Sequence, residues 1–349
     1  MTVRLLPTAQ TTIDAMDKLC WVGFDTSNYT TSAAACALDD DGKLCVIANC
    51  KSPLPVAEGG RGLRQSDAVF AHTKNLPELV ERLGEHIKGY RVAAVGYSSR
   101  PRDLEDSYMP CFLCGRVAAY SFACGRDIPV YDFSHQNGHI MAALYSSGAM
   151  LDGVLKKSFL AFHLSGGTTE AVLIKPDATA DKKGRDGFFS SRLVGYTEDI
   201  NAGQAIDRVG VAMGLKFPCG KEMEALASQY TGRIPSMKIC VRDGRCNLSG
   251  LENRAVKLWE ETGDRSLVSA FVFSVISKTV LAMTEQLIGT SSDTPIDTVL
   301  YAGGVMSNKL MRPALSEGKP YRVYFAEPAF SADNAAGVAL MTAKRFGAN

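Results

Sequence analysis

The chain reads WVGFDTSNYTTSAAACAL over residues 21–38 and FLAFHLSGGTTEAVLI over residues 159–174. Both stretches are an apolar run, a short polar or glycine-rich break and a second apolar run. Residues 21–25 therefore predict a strand, residues 26–31 a turn and residues 32–38 a returning strand. Residues 158–164, 165–168 and 169–174 repeat that order. Asp39-Asp40-Asp41-Gly42 makes a hairpin turn into a third strand at residues 43–48. Beyond each opening the pattern changes to crossover helices and buried strands. In the first half the spacing of Val69, Phe70, Leu76, Leu79, Val80 and Leu83 predicts a helix over 66–87. A strand at 92–97, a helix at 111–124, a strand at 128–131 and a helix from about Ser134 follow. In the second half helices are expected at 202–214 and 266–288. A strand at 298–302 then runs into Gly303-Gly304 and a further helix.

Alternating strands and helices imply an α/β protein, and two such halves imply two lobes with a ligand cleft between them. Residues 1–19 are a lead-in, 20–155 the N-terminal lobe and 156–349 the C-terminal lobe. The last helix, about residues 333–347, is expected to pack back on the N-terminal lobe. With 349 residues, 46% hydrophobic and 21% charged, the chain has the balance of a globular protein and not of a disordered one. Its 38 basic and 37 acidic residues leave a net charge of +1, so no global field points to nucleic acid. No uninterrupted apolar run approaches the ~20 residues of a membrane span. Asp14 and Asp17 stand where a signal peptide would need an apolar core, so the expectation is a cytoplasmic protein with no membrane partner. The ten Cys are dispersed. Cys36, Cys45, Cys50 and Cys240 read as buried thiols, and Cys111 and Cys114 form a single Cys-x-x-Cys pair, weak as a metal signal.

Four polar or glycine-rich turns follow strands: Asp25-Thr26-Ser27, Ser165-Gly166-Gly167-Thr168-Thr169, Pro218-Cys219-Gly220 and Gly303-Gly304 through Asn308. Turn amides and hydroxyls supply anion donors, and glycine lets a backbone approach a phosphate. There is no P-loop. His135 and His139 are four residues apart, so with Ser134 as helix cap both imidazoles lie on one face and can reach one metal ion. Two histidines lining a cleft would have the same spacing. Asp333 is either a third ligand or a helix cap, and Asp207 either holds a ribose hydroxyl or pairs with a cation such as Arg208. His163 reads as a core or cleft-wall residue, and His72 and His86 as helix-surface residues. Ser165-Gly-Gly is no nucleophile elbow, and Gln136 stands where a helical zinc protease carries its Glu, which argues against peptidase chemistry.

As a set, these residues resemble the tRNA threonylcarbamoyladenosine transferase family. The collinear matches are Gly23-Phe-Asp-Thr-Ser27 with Thr31-Ser-Ala33, His135-x-x-Gly-His139, Leu164-Ser-Gly-Gly-Thr168 and Ala202-Gly-x-Ala-x-Asp207. They continue with Gly214-Leu-x-x-Pro-x-Gly220, Asn247-Leu-Ser-Gly-Leu251, Ala302-Gly-Gly-Val-x-x-Asn308 and Asp333-Asn-Ala-Ala336. The resemblance implies the two-lobed actin-like ATPase fold shared with sugar kinases and heat-shock chaperones. It implies a divalent metal, iron or zinc, on His135, His139 and Asp333. ATP or threonylcarbamoyl-adenylate would lie against Leu164, Ser165, Gly166, Gly167, Thr168, Asp207, Gly220 and Asn308. The implied reaction moves threonylcarbamoyl from its adenylate to N6 of an adenosine in tRNA, with a smaller paralogue and an ATPase as partners. A basic surface at Arg61, Arg64, Arg100 and Arg102 is expected to meet the tRNA.

The sequence also departs from the family pattern. Asn137 replaces the Glu of His-x-Glu-Gly-His, Thr168 the His of Ser-Gly-Gly-His, and Gln204 the Glu of Ala-Gly-Glu-Ala. Asp199-Ile200 stands for Asp-Asp, and a charged segment with the Cys-x-x-Cys pair replaces a glycine-rich one near Arg100. This is the pattern of a divergent paralogue. Two other readings fit the same residues: a non-catalytic nucleotide-binding scaffold or regulator, and a carbamoyltransferase acting on a small molecule.

Overall fold

The computed structural model describes residues 18–55, 63–104, 106–176, 189–290, 295–331 and 333–348. The lead-in before residue 18, and with it Asp14 and Asp17, lies outside them, as does Arg61. The first opening folds as expected: β1 (Lys18–Thr26) and β2 (Thr30–Leu38) pair antiparallel from Thr26↔Thr31 outward, and β3 (Leu44–Pro53) adds to β2. Helix α1 (Gln65–His86) crosses to β4 (Tyr90–Arg100), which lies parallel to β1. Helix α2 (Phe112–Cys124) then leads to β5 (Val130–Ser134), and α3 spans His135–Ser146. The resulting sheet has the order β3-β2-β1-β4-β5.

The second half repeats this plan with β6 (Phe159–Leu164), β7 (Thr169–Pro176) and β8 (Phe189–Thr197), then α4 (Ala202–Ala212), α5 (Gly220–Ser228) and a small hairpin of β9 (Val241–Arg242) and β10 (Arg245–Cys246). Helices α6 (Ser249–Thr262) and α7 (Arg265–Thr290) precede β11 (Thr298–Ala302), α8 (Arg312–Ser316) and β12 (Arg322–Phe325). The short α9 (Pro328–Ser331) and the terminal α10 (Ala336–Phe346) follow. The sheet order is β12-β11-β6-β7-β8-β10-β9. Its segment β8-β7-β6-β11-β12 has the connectivity of the first sheet, strand for strand, so the loose repeat in the sequence is a duplicated topology.

Two local features differ from the sequence reading. After Gly303-Gly304 there is one 3-10 turn, Gly304–Ser307, and the helix behind it has only five residues. Gly303, at φ +95°, brings its backbone against the Leu164 carbonyl, a conformation and an approach that a side chain would forbid. On α1 the buried face is Ala68, His72, Leu79 and Leu83, and Phe70 points to solvent.

The core continues across the molecule. Helix α7 is buried along most of its length. Among the described residues it is also the one helix long and apolar enough to cross a membrane, and 72% of its apolar window lies inside the protein. Helix α10 lies against the first sheet and α3. Gly23 of β1 faces the Ala339 backbone, and Gly337 lets α10 reach the Gly138 carbonyl of α3. Helix α10 therefore returns to the N-terminal sheet, and the segment just before it is held over the N-terminus of α3.

Candidate active site

Three elements meet at the end of β1. Strand β5 ends at Ser134, whose hydroxyl accepts the Asn137 amide and caps α3, as the spacing predicts. His135 and His139 then meet edge to face one turn apart, with their Nε2 atoms at 3.0 Å. Asp333, ahead of α10, places Oδ1 3.1 Å from His139 Nε2 and 3.8 Å from His135 Nε2. Of the two sequence readings of Asp333, the helix cap fails, because Asn334 Oδ1 accepts the Ala336 amide instead. One ligand atom from each of His135, His139 and Asp333 lies within 4.8 Å of the others. Asp25, at the end of β1, is 1% exposed, and its Oδ1 accepts the His135 Nδ1 proton at 2.9 Å. That bond fixes the ring's orientation and aims His135 Nε2 at the cluster, where a metal would take the place of a proton. Ser27 donates its hydroxyl to Asp333.

The charges are tightly balanced. Burial works against a proton on His135, but Asp25, by charge and hydrogen bond, and Asp333 outweigh it and hold the group up at about 9. Burial would raise the Asp333 carboxyl, yet the His139 hydrogen bond, both imidazoles and the Ser27 hydroxyl hold it far below the usual range. His163 is brought down to about 3, first by burial and then by His139. It stacks on His139 with ring centroids 5.0 Å apart, so it walls the cluster on the side of the second lobe. Two imidazoles and a carboxylate facing one point, with Asp25 Oδ2 buried and unpartnered behind them, make a site built for positive charge.

The turn residues form a second, connected series. Ser165 N–H donates to Thr168 O at 2.7 Å, closing the turn and leaving Gly166 and Gly167 exposed. Gly203, in the first turn of α4, lies against the Ser165–Gly166 backbone, and its amide donates to Ser165 O at 3.1 Å. One turn along α4, Asp207 Oδ1 accepts the Cys219 amide at 2.8 Å, next to Gly220. Arg208 pairs with Glu252, so the expected Asp207–Arg208 alternative does not form. Asn308 is buried, and its Oδ1 takes the Leu310 and Met311 amides, while Lys309 N–H donates to Glu224 of α5. Leu164 itself is buried under the Gly303 turn.

Several sequence expectations need correction. His72 is wholly buried: its Nε2–H donates to Ser27 O at 2.8 Å, and the Thr31 hydroxyl donates to its Nδ1, also at 2.8 Å. It thus braces the turn that carries Ser27 to Asp333. The signal was its place on the Ala68–His72–Leu79 stripe of α1. His86 is exposed, as expected. Arg100 is bound to Asp103 and Asp132, and Arg102 to Glu170, so both are already paired within the protein, whereas Arg64 is exposed. Cys240 is exposed and Cys45 half-buried, and all ten cysteines, Cys111 and Cys114 included, are free thiols. Two of the substituted positions have structural roles. Asn137 is buried and takes the Ser191 hydroxyl, and Gln204 closes the α4 capping box with Asn201, while Asp199, the retained half of the Asp-Asp pair, accepts the Leu248 and Ser249 amides at the start of α6.

Similarity to known proteins bears on the family and the fold. The family model TsaD, tRNA N6-adenosine threonylcarbamoyltransferase, matches residues 60–340. A protein of that name from Thermus thermophilus is 31% identical over 336 residues, covering 93% of each chain. One from Enterococcus faecalis is 30% identical over 238 residues, 64% of this chain and 62% of that protein. Among solved structures, HypF from T. kodakarensis superposes with a TM-score of 0.55 at 11% identity, over 93% of this chain and 48% of that one. Full-length HypF in a phosphate- and nucleotide-bound form gives 0.52 at 11% identity, over 95% of this chain and 56% of that one. These likenesses establish the two-lobed actin-like ATPase fold that the duplicated strand order describes. The collinear motifs, the fold and the family match together make this chain a member of the tRNA N6-adenosine threonylcarbamoyltransferase family.

Proposed function

We propose that this chain transfers a threonylcarbamoyl group from threonylcarbamoyl-adenylate to N6 of an adenosine in tRNA, with one divalent metal held by His135, His139 and Asp333. The convergence of those three groups carries the reading, and the donor set fits the metal: two imidazole nitrogens, their protons displaced by the metal, and a carboxylate suit iron or zinc. When bound, such a metal supplies Lewis acidity and open positions for substrate oxygens. Asp25 keeps the proton on His135 Nδ1, and Ser27, braced by His72, holds Asp333 in place. The exposed Ser165-Gly166-Gly167 turn, with Thr168 at its end, presents backbone amides to the adenylate phosphate. Asp207 and Asn308, with Gly220 between them in the series of contacts, are the groups for the ribose and base. In the reaction the amine nitrogen forms a C–N bond to the carbamoyl carbon. The bond from that carbon to the phosphate oxygen breaks, adenylate leaves with the electron pair, and the proton given up by the amine passes to the departing phosphate or to water.

The family's partners follow from the same reading: a smaller paralogue as heterodimer partner and an ATPase. Support for the first comes from α2, where Leu113, Val117 and Tyr120 form an exposed apolar stripe at helical spacing. A non-catalytic scaffold draws support from Thr168 in place of His. The structural roles of Asn137 and Gln204 weigh against it, because neither substitution removes a group from the triad.

Nucleoside mass spectrometry tests the reading, using metal-loaded protein with its partners, threonylcarbamoyl-adenylate and unmodified tRNA. Modified adenosine is expected from the intact chain and none from the His135→Ala, His139→Ala double variant. An inactive intact chain beside an active relative would point to another acceptor or to a scaffold.

A further inference from the structure

On the second sheet a row of side chains leads away from the triad. His163 of β6 pairs in register with Glu170 of β7, and Glu170 pairs with Tyr196 of β8. Residues in register across neighbouring strands project from the same face, one strand spacing apart. His163 stacks on His139, so the row runs from the triad outward, with Tyr196 on the order of 10 Å from His163. The row ends in a pocket of about 220 Å³ walled by Arg102, Thr169, Glu170, Leu193, Tyr196, Thr197 and Asn201. Sites for whole ligands span roughly 300–1,000 Å³, so this one fits a single group of a larger ligand.

The pocket wall divides by chemistry. The Thr197 hydroxyl is engaged with Asp199 and Ile200, and the Asn201 side chain caps α4. Tyr196 and Leu193 remain as apolar surface, 37% and 40% exposed. Arg102, from the first lobe, closes the pocket with an ion pair to Glu170. Burial pushes the Glu170 carboxyl up and Arg102, its one ion-pair partner among the described residues, pulls it back.

We infer that this pocket seats the acceptor adenine: its ring stacks on Tyr196, its exocyclic amine donates to Glu170 on the side of the triad, and Arg102 turns to a neighbouring phosphate. The inference rests on the transferase reading above. Chemistry on a base's Watson–Crick edge requires the base to be unstacked, and an aromatic ring replaces the lost stacking. Tyr196 is such a ring, and the Glu170 carboxylate accepts from the exocyclic amine, which purine riboside lacks with no new donor in its place.

Fluorescence anisotropy of a fluorescein-labelled RNA hairpin with a loop adenosine, on the full chain, tests this. Tyr196→Ala is expected to weaken binding about 5- to 100-fold, with Tyr196→Phe close to wild type. Arg102→Ala is expected to lower the slope of log affinity against log salt by about 0.7. Wild type is expected to favour the adenosine hairpin over its purine-riboside counterpart, and Glu170→Ala to bind both alike. Thermal melts of each variant separate these effects from unfolding. If wild type binds and modifies the RNA while Tyr196→Ala and Arg102→Ala bind unchanged, the pocket is not the acceptor seat and the transferase reading stands. If wild type neither binds nor modifies the RNA, both fall.

Discussion

The two lobes share one strand order but use it in opposite ways. In the first, the turn between β1 and β2 is buried and closed on itself: Ser27 is 2% exposed, His72 fills its concave side, and Asp25 and Ser27 point at the triad. In the second, the turn between β6 and β7 exposes Gly166 and Gly167, and the α4 N-terminus supports it through Gly203. One turn grips side chains and the other presents backbone. Duplicated topology sets where two turns face each other; the residues in each decide whether it offers side chains or backbone amides.

Experiments that separate the lobes would test this division. Asp25→Ala is expected to lower metal affinity by about 10- to 100-fold, because the group that orients His135 is gone, with nucleotide binding unchanged. Metal titration and ATP binding on the same protein check it; equal losses in both would erase the distinction. Gly203→Ala is expected to do the converse. The added methyl would stand 2.6 Å from the Gly166 nitrogen, costing about 1–3 kcal/mol in denaturant unfolding and weakening nucleotide binding while metal uptake persists.

The smallest expected effect lies within the second lobe, at Asp199. Burial would raise its carboxyl, but the Leu248, Ser249 and Ile200 amides outweigh this and hold it well below the usual range. A depressed folded value means the stabilisation is present above the unfolded pKa of about 3.9 and is lost as pH falls toward the folded value. Asp199→Asn should therefore cost about 1 kcal/mol at neutral pH, the size of a lost helix cap, and flatten stability against pH below about 4. Urea melts at pH 7 and pH 3 check it; an unchanged slope would remove Asp199 as a cap.

Much of the plan was legible from local pattern. The repeated apolar run, polar break and apolar run defined both hairpins, and Ser134 followed by His135 and His139 defined a capped helix with two imidazoles on one face. These features depend on residues a few positions apart, where backbone sterics, capping and side-chain periodicity act. Other features needed the chain to return on itself. Asp333 reaches the histidines because α10 packs on the first sheet, through close backbone contacts at Gly23 and Gly337 that no short window of sequence contains. His72 looked like a surface residue until its helix was docked with that face inward, and Arg100 and Arg102 looked like free charge until Asp132 and Glu170 met them. Local order comes from neighbours in the chain. The site comes from neighbours in space, which only the packing of distant segments brings together.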